Sequence, residues 1–332
     1  MIKMTIFTPL VLASASLGAV SLWIGQRRWR RGNSVASLKS ELLSSQDAKI
    51  ASLQHSGKPP QSWEDMPKPV QRYFHRIFSQ QNIPLAEFDI SIPPPTVRYV
   101  RSVQFKQKGH MYMNGSWLPF KANQLVSAVP RKPGFVWDAS FSTGSEGIFS
   151  WLLPWIEVVD AWTLGIGQLT AHVFGVISVV PAPAGQEEKD MLTKGEMQRW
   201  LGEGALIPSI LLPGQGVVIW NEIDDDRALM TLSDPYTGKE VALTAVFDKN
   251  GWMTKVEGMR HRMVGKEFVL TPWGGYFANY EYVPHAGIWV PVHMEGGWMS
   301  EEKEELYFKG DNFDFQYDVI EPTLKTAAAS IE

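Results

Sequence analysis

Four side chains are the candidates for acid–base chemistry. Asp138 in "FVWDAS" and Asp160 in "VVDAW" each interrupt an apolar, strand-like run. A carboxylate placed there reaches solvent at the pleat, pairs with an Arg or Lys, or is buried. Burial raises its pKa, which is how general acids are made. His261 and His293 lie on two further strand-like runs, and Glu295 follows His293 at alternate spacing. Meeting across a sheet, these three could move a proton or hold a metal, although histidines on antiparallel strands are usually half-exposed packing residues. No pair has the i, i+4 spacing of a helical zinc site, and the expectation is no metal and no cofactor. There is no Walker loop, HExxH or Gly-x-Ser-x-Gly elbow. "LGIGQL" sits between strands and reads as a turn, as does the carboxylate-rich "NEIDDDR", which lacks the spacing of a calcium loop.

A second set of residues suits apolar recognition. The chain has Trp 14 and Met 13, side chains that fill a solid core or line an irregular cleft equally well. Trp137, Trp151, Trp155, Trp162, Trp220, Trp273 and Trp289 are the positions to search for a cleft lining, with some of them plain core. "FSWLLPWIEVV" is apolar enough to be a flap at a cleft mouth or a second membrane contact.

The elements that must position these residues begin with an address label. Residues 4–25 carry no charge and match the length needed to cross a bilayer core of ~30 Å. Arg27, Arg28, Arg30 and Arg31 follow, around Trp29. Residues 1–32 therefore read as a single-pass membrane anchor with an interfacial Arg cluster, which keeps the main domain cytoplasmic. A cleaved signal peptide, cut near Ala15 or Ala19, would instead send the domain outside. Residues 33–62 are polar and helix-permissive, then broken by "SGKPP", and read as a stalk. In "KPVQRYFHRIF", Val70, Tyr73, Phe74, Ile77 and Phe78 form an apolar helical stripe, leaving Arg72, His75 and Arg76 for solvent.

From about Thr96 the chain alternates like strand. "TVRYVRSVQFKQKGHMYM" and "SWLPFKANQLVSAV" turn on Asn114–Gly115, a strong hairpin signal. In "GIWVPVHMEGGW", Ile288, Val290, Val292 and Met294 form one apolar face, with His285 at the preceding turn. Roughly ten such strands in sequence predict a mainly β, β-rich α+β fold: a large curved antiparallel sheet or half-barrel meander over residues 63–322. A helical insertion at about 186–212 is expected to cover one face, which would otherwise be an exposed apolar patch. Residues 323–332 read as a disordered tail.

A net charge of −4 without a basic stripe argues against nucleic acid as a partner. The absence of Cys removes disulfides, thiolate metal sites and a lipid-anchoring Cys. "MPKPVQRYFHRIF", "KPGFVWDASF", "GEMQRWLGEGALIPSILLPGQGVVIWNEIDDDRALMTL" and "VFDKNGWMTKVEGMRHRM" together resemble an uncharacterised bacterial-type family with an N-terminal span and a β-rich domain. That resemblance covers about Met66 to Ile320 and implies no activity or catalytic residues. The architecture distantly resembles the lipoprotein-localisation carriers, half-barrels whose helix-covered concave face holds acyl chains. The span and the missing Cys depart from those carriers.

Three functions follow as expectations. The leading one is a membrane-anchored module binding a membrane lipid, acyl chain or other apolar ligand. The others are an enzyme acting on a membrane-proximal apolar substrate, and an assembly factor pairing through a sheet edge with a protein partner that the sequence leaves unidentified.

Overall fold

A computed structural model describes residues 25–26, 29–43, 61–80, 83–113, 115–127, 133–142, 156–174, 177–180, 182–212, 217–265, 267–300 and 303–320. The expected span at 4–24, the tail, Trp151 and Trp155 lie outside this set. Among the described residues no helix is long and apolar enough to cross a membrane.

Alternating runs become strands because a pleated strand sends successive side chains to opposite faces. The strands are β1 (Val100–Met113), β2 (Ser116–Ser127), β3 (Gly134–Phe141), β4 (Ile156–Thr163), β5 (Ile166–Val173) and β6 (Ile177–Ser178). After α3 (Gln186–Gly202) come β7 (Val218–Glu222), β8 (Arg227–Ser233), β9 (Glu240–Phe247) and β10 (Met253–Val264). The series ends with β11 (Glu267–Val283), β12 (Ile288–Met299) and β13 (Glu304–Val319). All thirteen form one antiparallel sheet in the order β6-β5-β4-β3-β2-β1-β13-β12-β11-β10-β9-β8-β7. The meander therefore starts mid-sheet, runs to one edge, and returns from the other to pair β13 with β1. The sheet is open, with β6 and β7 as its edges.

The single long crossover between those edges is α3, which packs against β3–β5 on one side and β8–β11 on the other. A helix can touch both flanks only if the sheet curves around it, so α3 lies along the concave face. Contact is close at Gly167, where a Cβ would sit 2.7 Å from Thr193 Cα. Any side chain there would push the helix off β5. Met197, Trp200 and Leu201, at i, i+3 and i+4, are 0–1% exposed, and Trp200 meets Trp162 edge-on at 5.7 Å. Such an aromatic pair adds ~0.5–1.5 kcal/mol beyond its area burial.

Helix α2 (Lys68–Phe78) buries the predicted stripe: Val70, Tyr73, Phe74 and Ile77 are all fully buried. Its second face departs from expectation. His75 and Arg76 are buried as well, because the chain folds back over them. Ile92 O lies 2.9 Å from His75 Nε2, Phe88 and Trp63 pack on the imidazole, and Arg76 binds the carbonyls of Ile83 and Asn250.

Residues 29–43, which include part of the predicted stalk, form α1 on the opposite, convex face. Arg31, Val35, Leu38 and Leu42 share one side of it, and Val35 and Leu42 pack with Leu125, Val136 and Ala161. Leu42 reaches Gly134, where a Cβ would meet its Cδ1 at 2.8 Å. Arg31 lies at the other end of these strands, bonding the carbonyls of Ala139 and Val158.

Candidate functional site

Between the concave face and α3 lies a cavity of about 260 Å³. Its strand wall is apolar, with Trp137, Phe141, Val158, Leu169, Phe277 and Met294 from β3, β4, β5, β11 and β12. Trp273, Gly275 and Gly296 continue it, and Trp273 Nε1 donates to Tyr307 Oη at 3.0 Å. Trp137 is fixed by its indole N–H on Gln107 Oε1 at 2.6 Å, and Gln107 donates in turn to Asn312 at 2.7 Å. These bonds lock the two rings, so the wall is shaped before anything enters it. A dry apolar cavity of ~150 Å³ already admits benzene, so this one is large enough for an alkyl chain segment.

The helix wall is charged. Glu196, Arg199 and Glu203 stand at i, i+3 and i+7 on α3 and its continuation, and face Asp160 of β4 and Arg260 of β10. Arg199 holds the centre. It pairs with Asp160 and, at 2.9 Å, with Glu203, and its guanidinium lies 4.8 Å from the ring centres of both Phe135 and Trp137. Burial alone would lower the Arg199 pKa, but Glu203, Asp160 and Glu196 outweigh it and raise it. Arg260 donates to Gly195 O at 2.8 Å and stacks 4.6 Å above Trp273. Glu203 also accepts from Gln124.

Glu196 is the outlier. It is 6% exposed, and its Oε2 and the Asp160 Oδ1 have no hydrogen-bond partner among the described residues. Burial, then the charge of Asp160, raises the Glu196 pKa well above the ordinary glutamate value. The group holds a proton that an exposed glutamate has lost.

Of the sequence candidates, Asp160, Trp137 and Trp273 meet at this cavity. Trp162 and Trp220 are core: Trp162 lies beneath Trp200, and Trp220 donates to Leu211 O at 2.8 Å. Trp289 donates to Ser79 O and packs on Trp252, away from the cavity. Asp138 stands on the convex face, paired with Arg31. His293 bonds Asp311 at 2.7 Å and contacts Glu295 at 3.4 Å. Burial opposes its protonation, but those two carboxylates outweigh it and raise the pKa. His261 lies opposite Leu270 on β10, its pKa lowered by burial and by Lys194. The four acid–base candidates thus occupy separate networks. Among the described residues no His/Asp/Glu group has the makings of a metal site.

Sequence reasoning missed Glu196, Arg199 and Glu203, although "EMQRWLGE" carries the signal. Its charges and its apolar residues occupy two adjacent stripes of one helix.

No curated protein matches the chain in sequence. A crystal structure of a DUF1329 family protein from Desulfovibrio piger is similar over 66% of this chain and 86% of that one, at 10% identity and a TM-score of 0.34. A likeness that low carries no argument about function. A family model, by contrast, matches residues 64–317, nearly the whole β-rich region, and the chain belongs to that family of unknown function, DUF6920.

Proposed function

We propose that this protein is a membrane-tethered module that holds an apolar or amphiphilic ligand, such as a lipid, in the cavity under α3. The observation that carries the reading is the cavity itself: a pre-shaped apolar wall, faced by a buried polar cluster at one side. Small-molecule sites have this composition, mostly apolar with a few placed polar groups. A core built for stability alone gains nothing from such a void, since each unfilled volume costs packing energy.

The tether rests on where α1 begins. Arg31 lies beside Asp138 and Glu157, at the end of the strands where β3 and β4 connect. The β1–β2 and β10–β11 hairpins turn at that same end. They carry exposed Tyr112, Trp117, Val264, Val269 and Leu270. α1 begins at this end, so a bilayer holding the apolar run that precedes it in sequence would meet these tips.

Pyrene, a neutral apolar probe, tests the cavity through its environment-sensitive vibronic bands. Full-length protein in lipid nanodiscs is expected to bind pyrene saturably above the empty-nanodisc background. Leu169→Trp, which fills the cavity from a half-buried wall position, is expected to weaken that binding at least ~10-fold. Equal binding by the variant would place pyrene elsewhere and overturn the reading.

A further inference from the structure

Resting on the cavity reading, we infer that the site selects amphiphiles with a cationic head, an alkylammonium being the simplest case. Around the helix wall stand three carboxyls, Asp160, Glu196 and Glu203, against two guanidiniums, Arg199 and Arg260; the fourth lining carboxyl, Glu295, is held by His293 and Lys309. The buried cluster is one positive charge short.

The existing cations cannot make up the deficit. Arg199 is shared between Asp160 and Glu203, and Arg260 is committed to Gly195 O and the face of Trp273. Arg260 Nε, Asp160 Oδ1 and Glu196 Oε2 are all without a hydrogen-bond partner among the described residues. Asp160 and Glu196 are both more than nine-tenths buried, and both line the cavity. An unpaired carboxylate in such a place is strongly disfavoured. Something positive must therefore sit by Glu196.

In the ligand-free chain that positive charge is a proton. A single proton between Glu196 and Asp160 serves both orphan oxygens and brings the cluster to neutrality. A ligand ammonium does the same with more hydrogen bonds, while its alkyl chain lies along Phe141, Leu169 and Met294. Its arrival displaces the proton from Glu196 to solvent, one cation in for one proton out. A carboxylate head would add an uncompensated negative charge to the same wall, and a hydroxyl head would leave the count unchanged.

Three ligands of one chain length separate these cases. Octylammonium, octanol and octanoate would be titrated against pyrene bound to full-length protein in nanodiscs at pH 7.5, with empty nanodiscs as the partition blank. The expected order is octylammonium, then octanol, then octanoate, with the first at least ~10-fold tighter than the last. Octylammonium binding is expected to release a proton, read from calorimetry in two buffers of different ionisation enthalpy. Glu196→Gln keeps the shape and removes the charge. It is expected to bring octylammonium down to the affinity of octanol. Octanol binding with no ammonium advantage, or an advantage that survives Glu196→Gln, overturns this inference and leaves the cavity reading standing. Displacement of pyrene by none of the three would overturn both.

Discussion

Two arginines grip opposite faces of the same strand pair, β3–β4, and each sits between two carboxylates. On the convex face Arg31 from α1 meets Asp138 and Glu157. On the concave face Arg199 from α3 meets Asp160 and Glu203. Counted alone, each trio is one positive charge short. What differs is water. The side chains of Arg31 and Asp138 keep 22% and 25% of their exposure, against 18% and 11% for Arg199 and Asp160. Solvent and salt reach the Arg31–Asp138 pair and screen it, although Glu157 is as buried as the inner carboxylates. The inner trio lies beside an apolar cavity, next to a third carboxyl, where the imbalance must be answered by bound charge. The outer trio fastens a helix. The inner trio has the makings of a binding site.

The sharpest way to break this contrast is to remove each arginine. Arg199→Met strands Asp160 and Glu203 in the interior and is expected to cost ~3–5 kcal/mol in urea unfolding. Leu42→Ala, which leaves a hole where α1 meets the convex face, comes next at ~2–3 kcal/mol. Arg31→Met opens a quarter-exposed pair with Asp138 but leaves Glu157 buried, and is expected to cost less, ~1–2 kcal/mol, with part of it lost in high salt. Equal losses for the two arginine variants would erase the distinction between the faces.

The smallest expected effect concerns pH, and its sign is opposite to that of an ordinary salt-bridged acid. Glu196 keeps its proton in the folded chain at pH values where an unfolded glutamate, with a pKa of ~4.3, has lost it. The folded state therefore binds the extra proton, and this contribution to stability is present at low pH. It is lost as pH rises through the raised folded-state value. Wild-type stability minus that of Glu196→Gln should fall across that window. A difference that is flat or climbs would show that Glu196 is ionised in the folded chain.

Most of the architecture was legible because it is written in local periodicities. The alternation in β12, the turn between β1 and β2 and the stripe of α2 all follow from spacing within one segment. What failed needed contacts between segments. His75 sits on the polar side of its own helix, and only the return of Phe88 and Ile92 buries it. The faces of Asp138 and Asp160 are set by register: Asp138 pairs with Val159, so it shares that residue's face and Asp160 takes the other. No pattern within either strand reveals this. The short stripe of Arg31, Val35, Leu38 and Leu42 was present in a stretch that also reads as a polar stalk. Its partner on the convex face is what makes it a docked helix. The acid cluster is the instructive miss, since its three helical members were visible as a stripe while Asp160 and Arg260 came from strands far away in sequence.

The most direct test of the central claim is photolabelling of full-length protein in nanodiscs with a neutral alkyl diazirine, followed by mapping of the adducts by mass spectrometry. The account predicts adducts on β3, β5 and β12 around Phe141, Leu169 and Met294, all lost in Leu169→Trp. Adducts confined to the N-terminal apolar run and the exposed hairpin tips, and unchanged in that variant, would contradict it and leave the space under α3 as a packing defect.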